Sequence, residues 1–375
     1  MVPMTTSRFV FPLFFFFLLW IAGCSPKFAR QSYTHPIPFQ PEQYLCQRAE
    51  TSLTIDGQLN ERAWEKALWT FDFQDIEGNL KPIPAHRTRA KMLWDDQYFY
   101  VAAQLDEPHL WATLTERDAI MYKNDDFEIF IDPDGDGLDY YEFEMNAHNA
   151  IWDLFMLRPY RADTLPNYLM NWDIKGIQTA VALDGTLNDP SDSDRSWTVE
   201  IALPWEALKE IAPGRRAPLP GEQWRVNFSR VDWHVAAQDG HYVKKPNPKT
   251  GKVDDFPQEN WVWSPIGYVD MHRPELWGYV QFVSGTSNAA WSTRPDEQIK
   301  WALWQLFYQQ QAFRKQDGRY CDKLSALTLP EVDIRGYAFA PRLQITDSQF
   351  ELQALTADGL GFWHLNAEGR IWRTD

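Results

Sequence analysis

Between Leu53 and Val283 apolar and polar residues alternate in short runs, and turn-forming residues separate the runs. That period belongs to half-buried strands. Leu53-Thr54-Ile55 reads as a short strand closed by Asp56-Gly57, and residues 60–67 as one or two helical turns capped by Asn60. Residues 89–93 and 98–105 read as a hairpin around Trp94-Asp95-Asp96-Gln97. Further strands are expected at 127–131, 140–146 and 151–157, the first two joined by a turn over 132–137. Residues 177–183 and 196–203 pair around a polar loop, a short helix starts at Pro204, and strands follow at 224–232 and 279–283. Short strands at close spacing, with almost no long helix, predict an all-β fold. The expected form is an antiparallel β-sandwich of the immunoglobulin or jelly-roll kind.

After Val283 the pattern changes. Residues 284–288 read as a linker, and Pro295 opens a helix with Asp296 and Glu297 in its first turn, where acids favour the dipole. Ile299, Leu303, Leu306, Phe307 and Phe313 recur at helical spacing until Asp317-Gly318. From about Leu343 the chain alternates again, with a turn at Ala367-Glu368-Gly369. Residues 285–375 are therefore expected as a small C-terminal α+β module. The run Trp301, Trp304, Phe307, Tyr308 either packs against the sandwich and tail strands or offers a partner surface.

The N-terminus has its own pattern. Arg8 precedes an apolar run over 9–20, shorter than the roughly 20 residues a spanning helix needs and interrupted by Pro12. Ile21-Ala22-Gly23-Cys24 resembles a bacterial lipobox. Residues 1–23 then form a lipoprotein signal peptide, and acyl chains on Cys24 hold the protein to a membrane. Ser25 after the cysteine resembles the outer-membrane sorting rule of Gram-negative lipoproteins, so an exported, outer-membrane-anchored protein is expected, on the periplasmic or surface face. Residues 24–46, with Pro26, Pro36, Pro38 and Pro41, read as a tether, and 47–284 as the sandwich.

A net charge of −16 argues against nucleic acid and suits neutral sugars better than acidic ones. Core packing claims most of the 19 Trp, and stacking on sugar faces is a reason to have more than packing needs. Cys46 and Cys321 are either a disulfide joining the sandwich to the tail or two free buried thiols.

Six blocks then stand in order: Ile55-Asp56-Gly57 with Trp64; Leu93-Trp94-Asp95-Asp96; Asp125-Asp126-Phe127-Glu128-Ile129-Phe130; Tyr140-Tyr141 with Asn146; Trp197 with Glu200 and Pro204-Trp205; and Trp224-Arg225-Val226-Asn227-Phe228. In order and spacing they resemble carbohydrate-binding module family 9, over about Thr51 to Val283, and in particular its lipoprotein relatives in Bacteroidetes. The resemblance implies a sugar held between two aromatic rings, often at a reducing end. The first ring falls at Tyr122, and the second near Met271, with Trp261 or Trp263 as neighbours. Glu128 and Asn146 match its polar sugar contacts. Glu144 stands where the family has an arginine.

Sugar recognition needs flat apolar faces and planar polar groups. Tyr122, Trp233, Trp261 and Trp263 offer the first; Glu128, Asn146, Arg230 and Asp232 the second. Arg230 is equally read as a structural ion-pair partner, and Trp64, Trp94, Trp152 and Trp205 as core. Asp132, Asp134 and Asp136 resemble the start of a calcium loop, but position twelve is Phe143, which excludes an EF-hand. They read either as a structural calcium site, which the family resemblance supports, or as a solvated turn; no other cofactor is required. Neither His-Glu-x-x-His, Gly-x-Ser-x-Gly nor a phosphate loop occurs, and no carboxylate pair stands out for glycoside hydrolysis. The first reading is non-catalytic binding of oligo- or polysaccharide, in support of glycoside hydrolases or a glycan importer. The alternatives are an assembly scaffold whose aromatic tail docks a partner, and a haem-binding sandwich using Met145 or Met271.

Overall fold

The computed structural model describes residues 31–162, 165–253, 258–285 and 290–375. The expected signal segment, Cys24 and residues 286–288 of the expected linker lie outside the described residues. The strands of the larger part are β1 (Gln43–Arg48), β2 (Gln74–Asp75), β3 (Thr88–Trp94), β4 (Tyr98–Asp106), β5 (Asp126–Asp132), β6 (Tyr140–Asn146), β7 (Ile151–Met156) and β8 (Tyr168–Leu169). They continue with β9 (Gln178–Asp184), β10 (Ser196–Pro204), β11 (Gln223–Asp232), β12 (Val235–Gln238), β13 (His241–Lys244), β14 (Glu259–Val262) and β15 (Gly278–Val283). Two short helices, α1 (Arg62–Lys66) and α2 (Trp205–Leu208), interrupt them. The tail holds α3 (Asp296–Asp317), β16 (Arg342–Ile345), β17 (Phe350–Leu355), β18 (Phe362–Asn366) and β19 (Ile371–Thr374).

Among the described residues the main sheet runs β8-β7-β6-β5-β11-β15-β1-β3-β4-β10-β9, with β14 on β11 and β2 on β14. Its two halves share one core, to which one half contributes Val101 and Val199 and the other Phe127, Phe143 and Phe228. The expected sandwich is therefore present, and Trp64, Trp94, Trp197, Trp205 and Trp224 are buried in it.

Pairing is antiparallel except at β1, which runs parallel to both β15 and β3. A strand that arrives from outside the sheet, and not by a hairpin, is free to do so. This corrects the tether reading. Tyr44 and Cys46 alternate into the core, so residues 43–48 join the two halves instead of leading up to them. The segment before β1 is also packed. Gln31 bridges Leu327, Tyr33 stacks on Tyr308 at 4.6 Å, and Phe39 stacks on Trp301 at 4.1 Å. Leu53 to Ile55 form no strand. The amides of Asp56 and Gly57 instead donate to Glu200 Oε2 at 3.0 and 3.1 Å, which pins the turn.

In the tail, Ile299, Leu303, Leu306, Phe307 and Phe313 of α3 pack on Phe350, Leu352 and Leu365. Gly318, at φ 73°, ends the helix as a left-handed cap. Trp304 and Phe307 are buried here, so these members of the aromatic run serve packing and not an exposed docking face. Cys46 and Cys321 are both buried and free, which corrects the disulfide alternative: one thiol belongs to the sandwich core and the other to the tail core. Among the described residues no helix is long and apolar enough to cross a membrane.

Candidate functional site

Strand parity builds the site. On β5, Phe127, Ile129 and Ile131 enter the core, so Asp126, Glu128 and Phe130 face the other side of the sheet. On β6, Tyr141, Phe143 and Met145 go in, and Tyr140, Glu142, Glu144 and Asn146 share that opposite face. The register sets Asp126 against Asn146, Glu128 against Glu144, and Phe130 against Glu142. Carboxylates thus cluster on one sheet face.

This face is not open to solvent along its length. Met271, Leu276 and Trp277 cover part of it, packing with Phe130, Tyr140 and Leu154 in a second apolar layer. What remains is a cleft of about 410 Å³ whose wall is Glu128, Glu142 and Glu144. Tyr122 and Tyr160 stand at it 40% and 51% exposed, and Trp152 lines it with an indole N–H that has no partner. The rings of Tyr122 and Trp152 lie 6.5 Å apart. His272 closes one side, 2.7 Å from Tyr140 Oη, and burial holds its pKa down at about 4, so the ring is neutral at pH 7.

Burial pushes every carboxyl of this wall up. Glu128 stands at about 7, with a hydrogen bond to Ser229 pulling the other way. Glu142 stands at about 8, raised by burial and then by Glu128. Asp126 and Glu144 are raised further, by burial first and then by the neighbouring acids. Glu144 accepts the Tyr122 N–H at 3.0 Å, which ties the ring at the lip to the acid below it.

A second cleft, about 600 Å³, lies at the end of the sandwich and is lined by Trp233, Trp261, His86, His109, Glu107 and Asp232. Arg230 lies beneath it, fully buried. Its Nη2 donates to Glu107 at 2.5 Å and Asp232 at 3.4 Å, and its guanidinium sits 5.0 Å from the Trp261 ring centre. Trp233 Nε1 donates to the Tyr122 carbonyl at 2.8 Å, so the two clefts share a wall.

The sequence-derived candidates therefore divide. Tyr122, Glu128 and Met271 line the first cleft, and Trp233 and Trp261 the second. Three have structural duties instead. Arg230 is the buried ion-pair partner. Asn146 is fully buried; its amide donates to Leu114 O at 2.8 Å and its Oδ1 accepts the amides of His148 and Ala150. Trp263 lies in the core against Gly278, where a Cβ would stand 2.7 Å from the indole. Met145 is also a core residue, so it is no axial haem ligand at a cleft.

Asp132, Asp134 and Asp136 do gather within 4.8 Å of one another. Hard oxygen donors of this kind fit calcium. The chain already meets part of the demand: Gly135 and Gly137 amides donate to Asp132, and Arg370 pairs with Asp136 at 3.0 Å. Sequence reading passed over Asp126, Glu142, Tyr160 and His272; Trp152 is a core residue as expected, 7% exposed in the second apolar layer, and it also lines the cleft. Period-2 counting from Glu128 and Asn146 would have found the two acids. Tyr160 and His272 come from loops and carry no such signal.

Residues 55–220 match the family model described as carbohydrate family 9 binding domain-like. Endo-1,4-beta-xylanase C of Paenibacillus barcinonensis is 30% identical over 100 residues, covering 27% of this chain and 8% of that protein. Exoglucanase XynX of Acetivibrio thermocellus is 26% identical over 119 residues, covering 32% of this chain and 9% of that protein. The chain thus spans less than a tenth of the length of these curated relatives. Among solved structures, a family 9 carbohydrate binding module from Caldicellulosiruptor kristjanssonii in complex with cellotriose gives a TM-score of 0.41 at 17% identity, over 68% of this chain and 100% of that one. The same organism's module in complex with glucose gives 0.41 at 16%, over 66% and 99%.

Proposed function

We propose that the family 9-like domain matched at residues 55–220 binds a carbohydrate without cleaving it, and that the first cleft is the site. One observation carries this reading: exposed Tyr122 and Tyr160 rings border a wall of planar carboxyls with raised pKa values. Rings receive the C–H faces of a sugar, and carboxyls that keep or share a proton both donate to and accept from its hydroxyls. Glycoside hydrolysis needs two carboxyl groups flanking the scissile bond. Here Glu128, Glu142 and Glu144 all face one way on paired strands, which supports binding and not catalysis.

Calorimetry of residues 25–375 against xylo- and cello-oligosaccharides tests the proposal; the two relatives named for xylanase and glucanase activity direct that choice. Tyr122→Ala and Glu128→Gln are expected to weaken binding by tenfold or more. Binding that survives both and is lost in Trp233→Ala moves the site to the second cleft. No heat with any sugar, from folded protein, removes the reading.

We further infer, from the signal segment and the lipobox-like Ile21-Ala22-Gly23-Cys24, that the chain is exported and lipid-anchored at the outer membrane. There it would hold glycan near hydrolases or an importer. Radiolabelled palmitate is expected in the wild type and absent from Cys24→Ser.

A further inference from the structure

Acidic residues gather in four places among the described residues: Glu107 with Asp125 and Asp232; Asp118 with Asp153 and Asp173; Asp132 with Asp134 and Asp136; and Asp126 with Glu128 and Glu144. The first three contain a cation of the chain's own. Arg230 stands in the first, 2.5 Å from Glu107. Arg117 stands in the second, 2.5 Å from Asp153 and 2.9 Å from Asp173. Arg370 meets Asp136 in the third. In the fourth, no Lys, Arg or His among the described residues forms an ion pair with Asp126, Glu128 or Glu144. Nearby, His272 reaches only Glu142, at 4.0 Å.

We propose that Asp126, Glu128 and Glu144 bind one hard divalent cation, of the calcium class, at the floor of the first cleft.

Four observations converge on it. The three side chains are 0%, 6% and 2% exposed, so water does little to screen the charges they carry once their protons leave. Glu128 and Glu144, directly opposite across the strand pair, can then ionise together only with a cation between them. One oxygen of each residue lies within 4.8 Å of the others. Oxygens at about 2.4 Å from a calcium ion can stand up to about 5 Å apart, so one ion can reach all three.

The buried groups also include unused acceptors. Asp126 Oδ1 accepts the Val231 amide, but its Oδ2 has no partner, and neither does Oε2 of Glu142, which lines the same cleft. Buried acceptors of this kind are rare without a ligand or ordered water. Glu128 and Glu144 border the cleft, so the remaining coordination positions open onto it. Water can fill them, and so can paired hydroxyls of a sugar. That last step rests on the carbohydrate reading; the cation site does not.

The test titrates Ca2+ into chelator-stripped residues 25–375 without sugar, by calorimetry and thermal shift. The wild type is expected to bind one ion that is lost, or weakened at least tenfold, in Asp126→Asn/Glu144→Gln and in Glu128→Gln alone. Circular dichroism checks folding of each variant. Asp132→Asn/Asp134→Asn, which touches only the hairpin turn, is expected to retain that ion. Absence of binding at millimolar Ca2+, or equal binding by all the first-cleft variants, overturns the proposal. A parallel sugar titration separates the two readings. Ca2+ bound without sugar binding sinks the carbohydrate proposal alone, and sugar bound without Ca2+ sinks this one alone.

Discussion

Arg230 is fully buried among Glu107, Asp125 and Asp232, and no solvent shares its charge. Removing one side of a buried ion pair costs about 3–5 kcal/mol, because the other side stays behind uncompensated. Arg230→Met is therefore expected to lower the free energy of unfolding in urea by about that amount while leaving sugar affinity in the first cleft unchanged. A ligand-contacting arginine would give the reverse. Asn146 follows the same logic at smaller scale. Its amide serves Leu114 O and two turn amides, so Asn146→Ala is expected to cost about 1–3 kcal/mol of stability and little affinity. These two residues show where sequence reading stops. The family resemblance put Glu128 and Asn146 at polar contact positions on neighbouring strands, but it could not say that one ends in a cleft and the other in a turn. That distinction depends on the loop at 270–277 and the turn at 147–150, which fold over the sheet from elsewhere in the chain.

Elements were more legible than sites, because a strand or helix is written in a local period. The strands at 140–146 and 196–203 and the helix from Asp296 came through within a residue or so. β1 did not: six residues in a proline-containing segment carry too little pattern, and a parallel pairing has no hairpin to announce it. The register of α3 against the sandwich was equally hidden, and one charged residue contributes to it. Glu297, in the first turn, meets Arg225 at 3.3 Å and Lys300 at 2.5 Å. Burial pushes its carboxyl up, but Lys300 and Arg225 outweigh burial and hold it at about 2, down from 4.5. The stabilisation from this depressed value is complete above about pH 4.5 and is lost as the pH falls towards 2. It amounts to at most about 3 kcal/mol. Wild type and Glu297→Gln are thus expected to differ most in stability above pH 5 and to converge near pH 2, as read by urea titrations across that range. A constant difference would mean that the carboxylate charge contributes nothing.

At the scale of the whole molecule, the question is whether sandwich and tail open separately. Each has its own core, and each core holds one buried thiol, Cys46 in the first and Cys321 in the second. The contacts between them come from three directions. Phe39 and Tyr33 stack on the α3 rings Trp301 and Tyr308. Arg225 meets Glu297, and Arg370 with the Ile371 amide meets Asp136 at the β5–β6 turn. The segment that lies on α3 runs on directly into β1, the strand joining the sandwich halves, so lifting the tail strips contacts from the chain that holds the sheet together. The two parts should therefore open as one cooperative unit. Residues 25–375 contain only these two cysteines, which makes thiol labelling a clean reporter. Both are expected to resist a thiol reagent in the native state and to label at one rate as urea is raised, each peptide being followed by mass spectrometry. Cys321 labelling well before Cys46 would show the tail to be an independent module. Deleting residues 31–42 should then be the change that uncouples them, because it removes the stacking on α3 and leaves β1 in place.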